Sequence, residues 1–404
     1  MDSDKAKQKE TEDWIVHIVD TINQYYAGRQ VVLWGKYKAS DNIRNKLKEK
    51  YGVEIAFYVD SDSKKIDNKQ VFSADCLDGK SSEYYVVIPL AFYPSIKEKM
   101  IGGGYKNKID YYYFSDCAVC QKDDYYEDAH GNKIIGGYQG LKFAFSGFGA
   151  AIQIGENVHF HDTSIYVHNH SKIVIGNESY FQNCKIFIEQ GTKLEFGREV
   201  NLQESDIWIG EYADILVEKN VKIHGMQLFK TRWNISDNVR LKIGSQSILF
   251  YGYLYMAENS LLQIGREFSI GEGYHVALDR YTSITIGDDC MFSNDILLRC
   301  GDGHSIFDVV SGENINSTDE ISKNRNIEIG SHVWVGMRAA VLYYTKIGDG
   351  SIVGAMSLVK GILPNNCIAA GVPAKVMRKD VSWSRENGTD NISECGYQYV
   401  NKTK

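Results

Sequence analysis

Proline is scarce in this sequence, with 4 among 404 residues, whereas glycine occurs 37 times. The 8 cysteines are scattered without framework spacing, which excludes a disulfide-stabilised scaffold and predicts reduced thiols in a cytoplasmic protein. No stretch approaches the ~18 uninterrupted apolar residues that a membrane-spanning helix needs, and Met1–Trp14 lacks the apolar segment of a secretory signal. A net charge of −7 argues against nucleic acid or an anionic membrane as the main partner.

Metal-binding patterns are weak, and we expect no metal cofactor. Cys117 and Cys120 form one CxxC pair, but no second pair follows at the spacing of a zinc finger. Four histidines fall within a short stretch as two i, i+2 pairs, so each pair shares one strand face. They lack Cys, Asp or Glu partners at a set spacing, which favours an outward polar ladder or an acceptor-facing wall on a neighbouring subunit. These histidines are His159, His161, His168 and His170.

The length of the chain predicts two domains, because one compact core rarely extends this far. Near the N-terminus, apolar residues recur at helical spacing, and strands then alternate with helical stretches in the pattern of a small Rossmann-like α/β unit. The following segment is dense in tyrosine and acidic residues. We expect an N-terminal helix over 1–28, a Rossmann-like α/β domain over 29–115, a tyrosine- and acid-rich connection over 116–139, a β-helix over 140–375 with an inserted loop at 301–326, and a C-terminal tail over 376–404.

Beyond about Gly136 an apolar residue followed by glycine recurs with a period near 20 residues. Such a period indicates a solenoid. Two longer gaps in the series are close to two periods each. The pairs are Ile154-Gly155, Ile175-Gly176, Phe196-Gly197, Ile243-Gly244, Ile264-Gly265, Ile286-Gly287, Ile329-Gly330 and Ile347-Gly348.

Six-residue steps within each period predict a three-sided coil. Each step forms one flat strand with its aliphatic residue inside, and a small residue follows because the corner is tight and often requires positive φ. From Gly136 to Gly371 the chain has room for about eleven coils of roughly 21 residues. A β-sandwich would instead require hairpin turns and strict alternation. We therefore predict a mainly β protein, with a left-handed parallel β-helix after the α/β domain.

Residues 286–379 resemble the hexapeptide-repeat acyltransferases, which include galactoside, maltose, serine and capsule-polysaccharide acetyltransferases. The motifs that carry this likeness are IGDDCMFSNDILLRCGDGHS, IEIGSHVWVG, IGDGSIVGAMSLVK and LPNNCIAAGVPAKVMR. They cover about 95 residues closely, and the repeat extends the likeness to about Gly140. The resemblance implies an acetyl-CoA donor, a sugar or polysaccharide hydroxyl as acceptor, and a homotrimer with active sites between subunits.

The family's catalytic histidine matches His304, which lies in an insert that interrupts the repeat. An imidazole has a suitable pKa to accept a proton from a sugar hydroxyl as it attacks the thioester. A carboxylate would hold the imidazole tautomer, and Asp302 and Asp308 are both candidates. A backbone N–H on a neighbouring coil, such as that of Gly336, would stabilise the oxyanion.

The resemblance also implies residues that bind the two substrates. Asn294 and Asp295 match a position that contacts the acceptor, although a hydrogen bond within the ladder is an equal alternative for them. On the side that would bind the donor, the sequence departs from the family pattern at two points. Lys360 comes one position earlier than the lysine of the Thr-Lys pair that many family members have, and Tyr343-Tyr344 replaces a Pro-Gly corner. The residues implied for coenzyme A are Trp334, Gly336, Ala355, Lys360, Lys375 and Arg378.

The N-terminal unit resembles the nucleotide-sugar-binding domain of some bacterial sugar N-acetyltransferases. Those proteins carry a glycine-rich phosphate loop, of which only Gly35 is present here, followed by Lys36 and Tyr37. Asp60 ends the second strand, where it could bond a ribose hydroxyl. The loop GDGHSIFD resembles the O-acetyltransferase branch more than the nucleotide amino-sugar branch, so polysaccharide O-acetylation is our main hypothesis. The alternatives are N-acetylation of a nucleotide-linked amino sugar and a non-catalytic β-helix scaffold.

Overall fold

A computed structural model describes residues 15–16, 18–89, 94–106, 109–113, 118–128, 130–226, 230–316 and 325–386. Parts of several expected features lie outside these residues. They are the first 14 residues of the N-terminal helix, Cys117 of the CxxC pair, residues 317–324 of the inserted loop and the tail from residue 387 onward.

The N-terminal unit is a five-stranded parallel sheet with strand order β3-β2-β1-β4-β5. Its side chains alternate between two apolar clusters, with Val31 and Leu33 in one and Val32 and Trp34 in the other. Of the helices in the described residues, none combines the length and apolarity needed to cross a membrane. The elements are α1 (15–25, with residue 17 not described), β1 (Gln30–Trp34), α2 (Lys38–Tyr51), β2 (Ile55–Asp60), β3 (Val71–Ser73), β4 (Tyr84–Ile88), α3 (Pro94–Gly102) and β5 (Tyr111–Tyr113), with 3₁₀ turns at Ser63–Lys65 and Ala74–Leu77.

The segment expected as a connection, 116–139, contributes three strands. Strands β6 (Ala118–Lys122) and β7 (Tyr125–Asp128) form an antiparallel hairpin that leads to β8 (Lys133–Ile135). Strand β8 pairs antiparallel with β7 and parallel with the solenoid strand at Ala151–Ile154. The buried Tyr126 and Ile134 belong to the same apolar cluster as the coils. This hairpin therefore forms the end of the β-helix.

The rest of the chain coils into a three-sided parallel β-helix around one continuous apolar core. Face 1 contains β8, β10 (Ala151–Ile154), β13 (Lys172–Ile175), β16 (Lys193–Phe196), β19 (Asp214–Val217), β22 (Arg240–Ile243), β25 (Leu261–Ile264), β28 (Ser283–Ile286) and β31 (Ile327–Ile329). Face 2 contains β11 (His159–His161), β14 (Tyr180–Gln182), β17 (Asn201–Gln203), β20 (Lys222–His224), β23 (Ile248–Leu249), β26 (Ser269–Ile270), β29 (Met291–Phe292), β32 (Trp334–Val335), β34 (Ile352–Val353) and β36 (Cys367–Gly371).

Face 3 joins face 2 back to face 1 and completes each coil. Its strands are β9 (Leu141–Ser146), β12 (Thr163–His168), β15 (Lys185–Ile188), β18 (Ser205–Ile209), β21 (Thr231–Ile235), β24 (Gly252–Met256), β27 (Tyr274–Leu278), β30 (Leu297–Cys300), and the first parts of β33 (Ala340–Ile347) and β35 (Leu358–Leu363), which then continue on face 1. Strand β37 (Ala374–Lys379) pairs antiparallel with β36 and ends the solenoid. We call the junctions of faces 1 and 2, 2 and 3, and 3 and 1 corners A, B and C.

The recurring Ile-Gly pairs lie where face 1 meets corner A. The apolar member of each pair is buried at the end of a face 1 strand, as at Ile175 and Phe196. The first long gap in the series contains a coil in which Val217 takes the apolar position. The second long gap is a single coil enlarged by the inserted loop, because β28 pairs directly with β31. In the described residues, face 2 has ten parallel strands and face 1 has eleven when the second parts of β33 and β35 are counted, which is close to the expected eleven coils.

Glycine is required at corner A because the backbone of the neighbouring coil leaves no room for a Cβ. A positive φ at the glycine itself is not the reason. A Cβ on Gly176 would lie 2.5 Å from the backbone nitrogen of Arg198 in the next coil. The positive φ that we expected at the glycine occurs two residues later, at Glu178 with φ 60° and Glu199 with φ 58°. The strands and their order confirm the predicted left-handed parallel β-helix after a Rossmann-like α/β unit.

Candidate active site

The inserted loop leaves the solenoid at corner C, between β30 and β31. Asn316 holds its first part in place with both ends of the side-chain amide. The amide oxygen accepts from the backbone N–H of Ile306 at 2.7 Å. The amide nitrogen donates to the His304 carbonyl at 2.8 Å and to Asp302 Oδ2 at 2.9 Å. These bonds fix the backbone of His304 within the loop, while its side chain is exposed.

Asp302 is the centre of a polar network under the loop. The Tyr343 hydroxyl donates to Asp302 Oδ1 at 2.9 Å, and the buried Arg325 guanidinium lies 3.2 Å from Oδ2. Lys360 Nζ lies 4.4 Å from the ring centroid of Tyr343. Desolvation is the largest single influence and would raise the pKa of Asp302. The hydrogen bonds from Asn316 and Tyr343 and the nearby positive charges outweigh it, so the pKa is lowered.

His304 is exposed at the rim of a cavity of about 340 Å³, which we call the loop cavity. Within the described residues, its imidazole makes no hydrogen bond or ion pair, so both ring nitrogens are available to an incoming group. Asp279 also lines this cavity, and desolvation raises the pKa of its carboxyl although Arg299 and Arg325 oppose the shift. The cavity therefore combines an accessible base with a carboxyl group that sequence reasoning did not single out.

Neither carboxylate predicted to orient His304 makes a hydrogen bond to the imidazole. Asp308 Oδ1 accepts from the backbone N–H groups of Val310 and Ser311, at 2.9 and 2.8 Å, and so stabilises a turn in its own loop. The carboxylate of Asp302 bonds Asn316, Tyr343 and Arg325 instead.

Apart from Lys360, the residues matched to the acceptor and to coenzyme A lie on a different part of the solenoid. The exposed Trp334 belongs to face 2, and Gly336 and Ala355 pack against each other at corner B. The backbone N–H of Gly336 donates to the Val353 carbonyl at 2.8 Å, so it is already used by the ladder and is not a free oxyanion donor.

Asn294 and Asp295 also lie at corner B. The Asn294 amide oxygen accepts from the backbone N–H of Glu272 at 3.0 Å, which is the ladder bond that the sequence left open as an alternative. Asp295 Oδ2 lies 3.4 Å from Arg338 Nε in an exposed ion pair. Lys360 is the member of the coenzyme A set that lies at corner C beside the loop network, while Lys375 and Arg378 are exposed on β37.

A second buried network lies at corner A, and its long-range contacts carry no sequence signature. His332 is fully buried; its Nδ1 lies 2.7 Å from Asp289 Oδ2 and its Nε2 lies 2.8 Å from the Trp383 carbonyl oxygen. The Trp383 ring stacks on the imidazole at 4.1 Å, and Arg385 Nε lies 2.6 Å from Asp289 Oδ1. Desolvation would raise the pKa of Asp289, but the hydrogen bonds from His332 and Arg385 lower it overall. Residues 380–386, the C-terminal segment, are thereby anchored beside Trp334.

The strand ends of the N-terminal unit do not form an open phosphate cradle. A Cβ on Gly35 would lie 1.9 Å from the Tyr37 ring, so this side chain covers the only glycine of the expected loop. Lys36 Nζ bonds the Gln70 side chain at 2.6 Å. Asp60 is buried, with Oδ1 accepting from the backbone N–H of Asp62 and Oδ2 lying 3.8 Å from Lys65 Nζ.

The four clustered histidines lie on different surfaces. His159 and His161 both point outward from face 2, as their spacing predicts. His168 ends a face 3 strand, where burial lowers its pKa to about 4 and its Nδ1 accepts from the Asn169 backbone N–H at 2.9 Å. His170 contacts Phe148 edge-on at corner C. Within the described part of the chain, no three His, Cys, Asp or Glu side chains come close enough to hold a metal ion.

Comparison with known proteins places these features in a family, although no family model matches the chain. A polysialic acid O-acetyltransferase of Escherichia coli O1:K1 is 34% identical over 143 residues, which are 35% of this chain and 44% of that protein. This chain therefore spans less than half of that relative.

A second relative is matched over most of its length. The Escherichia coli K12 protein WbbJ, named for lipopolysaccharide biosynthesis O-acetyl transfer, is 30% identical over 150 residues, which are 36% of this chain and 71% of that protein. The crystal structure of the polySia-specific acetyltransferase NeuO aligns with 64% of this chain and 95% of its own, at 23% identity and a TM-score of 0.39. With the coiled repeat, the inserted histidine loop and the match over 71% of WbbJ, the chain belongs to the hexapeptide-repeat, left-handed β-helix acyltransferase family.

Proposed function

We propose that this protein is an O-acetyltransferase that transfers the acetyl group of acetyl-CoA to a hydroxyl of a bacterial cell-surface polysaccharide or sugar. The observation that carries the proposal is the accessible imidazole of His304, which a fixed loop backbone holds at the rim of the loop cavity. The relatives named as O-acetyltransferases of polysialic acid and of lipopolysaccharide biosynthesis support an acceptor of this class.

His304 acts as the general base in this proposal. A ring nitrogen accepts the proton of the acceptor hydroxyl as the oxygen attacks the thioester carbonyl, and the tetrahedral intermediate collapses with cleavage of the carbon–sulfur bond. The imidazolium then returns the proton to the departing coenzyme A thiolate. Asp302 acts through Asn316, because this amide bonds both the Asp302 carboxylate and the His304 carbonyl and so positions the loop.

The position of Trp334 supports a donor site that is completed by a second copy of the chain. In a three-sided coil, corner C joins faces 3 and 1, so face 2 lies opposite the loop that carries His304. Trp334 is exposed on face 2 and therefore does not reach the loop cavity of its own chain. We propose a homotrimer in which the donor lies between His304 of one subunit and Trp334 of the next.

The buried cysteines Cys184, Cys290 and Cys300 form no disulfide bonds, which is in keeping with the proposed cytoplasmic location. N-acetylation of a nucleotide-linked amino sugar would require a phosphate site near Gly35, where the Tyr37 ring already lies. A non-catalytic scaffold would have no use for an accessible histidine beside the network of Asp302 and Tyr343.

The proposed reaction is tested by incubating the purified protein with radiolabelled acetyl-CoA and size-separated capsular or lipopolysaccharide glycans. We expect label in the glycan fraction that is released by mild base, since esters are cleaved under these conditions and amides are not. Label stable to mild base would favour the N-acetyltransferase alternative. If acetyl-CoA neither binds nor is consumed with any glycan offered, the scaffold alternative is favoured.

Shared active sites predict complementation between two inactive variants. His304→Ala and Trp334→Ala should each reduce transfer, the second by on the order of 10- to 100-fold through loss of an aromatic contact. Trimers co-expressed with two different affinity tags and purified through both should regain activity, because some sites then combine an intact His304 with an intact Trp334. Mixed trimers no more active than the separate variants would show that both residues serve the same chain's site.

A further inference from the structure

Two cavities on face 3 flank one strand. The outward side chains of β24 are Tyr253 and Tyr255, and Tyr255 lines the loop cavity together with His304. Tyr253 lines a second cavity of about 410 Å³ toward corner B, which we call the remote cavity. Because β24 is five residues long, about 13 Å separates its two ends.

The remote cavity is cationic and aromatic. It is lined by Lys230 and Arg232, by the rings of Tyr251, Tyr253 and His275, and by no carboxylate among the described residues. Asp206 is the register neighbour of Arg232 on β18, but its carboxylate lies 3.3 Å from Lys230 Nζ, and the exposed Arg232 guanidinium forms no ion pair within the described part of the chain. An exposed guanidinium without a counter-ion presents its planar array of donors to a carboxylate or another anionic group.

The aromatic side chains of this cavity are held in a defined arrangement. Arg232, Tyr253 and His275 occupy the same register on three successive face 3 strands, so they form one column along the surface. The Asn234 amide donates to the Tyr253 hydroxyl at 3.1 Å, and the Tyr253 and His275 rings meet edge-on at 5.1 Å. A cation beside fixed aromatic rings suits a sugar ring that carries a negative charge.

We propose that the remote cavity is a second acceptor subsite, which binds an acidic sugar residue several units away from the hydroxyl presented to His304. This inference rests on the proposed function, because it extends the acceptor from the loop cavity across Tyr255 and Tyr253 toward Arg232. The acceptor is then a chain of acidic sugars lying across face 3, and an isolated sugar engages the loop cavity alone.

The test compares binding of short and long anionic chains to the full-length protein. Probes are two- and eight-residue oligomers of sialic acid and of galacturonic acid, with uncharged dextran oligomers of the same lengths. We expect at least one acidic octamer to bind at least tenfold more tightly than its dimer, and Arg232→Gln to remove that gain, since a charge-assisted hydrogen bond contributes about this factor. Tyr253→Ala should act in the same direction, and both variants should retain the wild-type affinity for the dimer.

Matched variants on face 2 are Lys222→Gln and Tyr180→Ala, which should leave octamer binding unchanged. The gain in affinity from dimer to octamer should persist in His304→Ala, so a failure of the proposed chemistry is distinguishable from a failure of this subsite. The inference is overturned if neither acidic series gains affinity with length, if dextran gains as much, or if Arg232→Gln has no effect. A change of oligomeric state in the Arg232 or Tyr253 variant would also overturn it, because face 3 would then be a subunit interface.

Discussion

Replacing His304 with alanine should lower the turnover number for acetyl transfer by on the order of 10²–10⁴, because the acceptor hydroxyl loses the base that takes its proton. Acetyl-CoA affinity should stay close to that of the wild-type protein. The imidazole makes no hydrogen bond within the described residues, and the loop backbone is held by Asn316 through the His304 carbonyl, which alanine retains. Steady-state kinetics with a saturating glycan acceptor and calorimetric titration with acetyl-CoA measure the two effects separately.

The matched control is His161→Ala, an exposed histidine on face 2. This variant should transfer acetyl groups at the wild-type rate. A second substitution, His304→Gln, keeps a polar side chain of similar length but provides no base, so it should be as slow as the alanine variant. Turnover that survives either change at His304 would remove this residue from the mechanism and direct attention to Asp279, a carboxyl group of the loop cavity whose pKa is raised by burial.

Asp289→Asn should cause the largest loss of stability, about 2–4 kcal/mol in the free energy of unfolding. The Asp289 carboxylate accepts from both His332 and Arg385, and His332 is fully buried. Asparagine tolerates the positive φ of 56° at this position, so the backbone should not be strained. The uncharged amide leaves Arg385 without its carboxylate partner and removes one acceptor from the buried imidazole. Urea denaturation followed by circular dichroism provides the measurement.

Asp288→Asn is the neighbouring control. Its carboxylate pairs with Arg266 at 2.8 Å at an exposed site, and its Oδ1 accepts from the Arg266 backbone N–H, which an asparagine oxygen also accepts. Exposed ion pairs contribute little, so the loss should stay below about 1 kcal/mol. Equal losses for the two variants would show that the buried network around His332 does not stabilise the C-terminal coils more than a surface pair does.

The C-terminal segment illustrates a feature that sequence reasoning missed. Trp383 and Arg385 lie in a short polar stretch with no repeat and no motif. Their partners are 51 and 96 residues away, at His332 and Asp289. Local spacing carries no information about such pairs, so only the folded chain shows that this segment packs against corner A beside Trp334.

The same limit applies to the expected roles of single residues. The sequence allows Asn294 either to contact the acceptor or to form a hydrogen bond to a neighbouring coil. The structure shows the second: its amide oxygen accepts from the backbone N–H of Glu272. Tyr343 was noted as a departure from a Pro-Gly corner, whereas its hydroxyl bonds Asp302 and its ring contacts Lys360. In both cases the residue type was informative, but its partner depends on which coil lies above or below.

The sequence by itself determined the coil, the position of the inserted loop and the identity of its histidine. Each coil contacts only the coils one period before and after it in sequence. A repeating apolar residue followed by glycine, as at Ile175, is therefore sufficient to predict the coil. Only the tertiary structure decided that His304 and Trp334 lie on opposite sides of the prism and that Arg232 lies in line with Tyr253. The face that a side chain occupies depends on the exact length of every corner and insertion before it, and period alone does not specify those lengths.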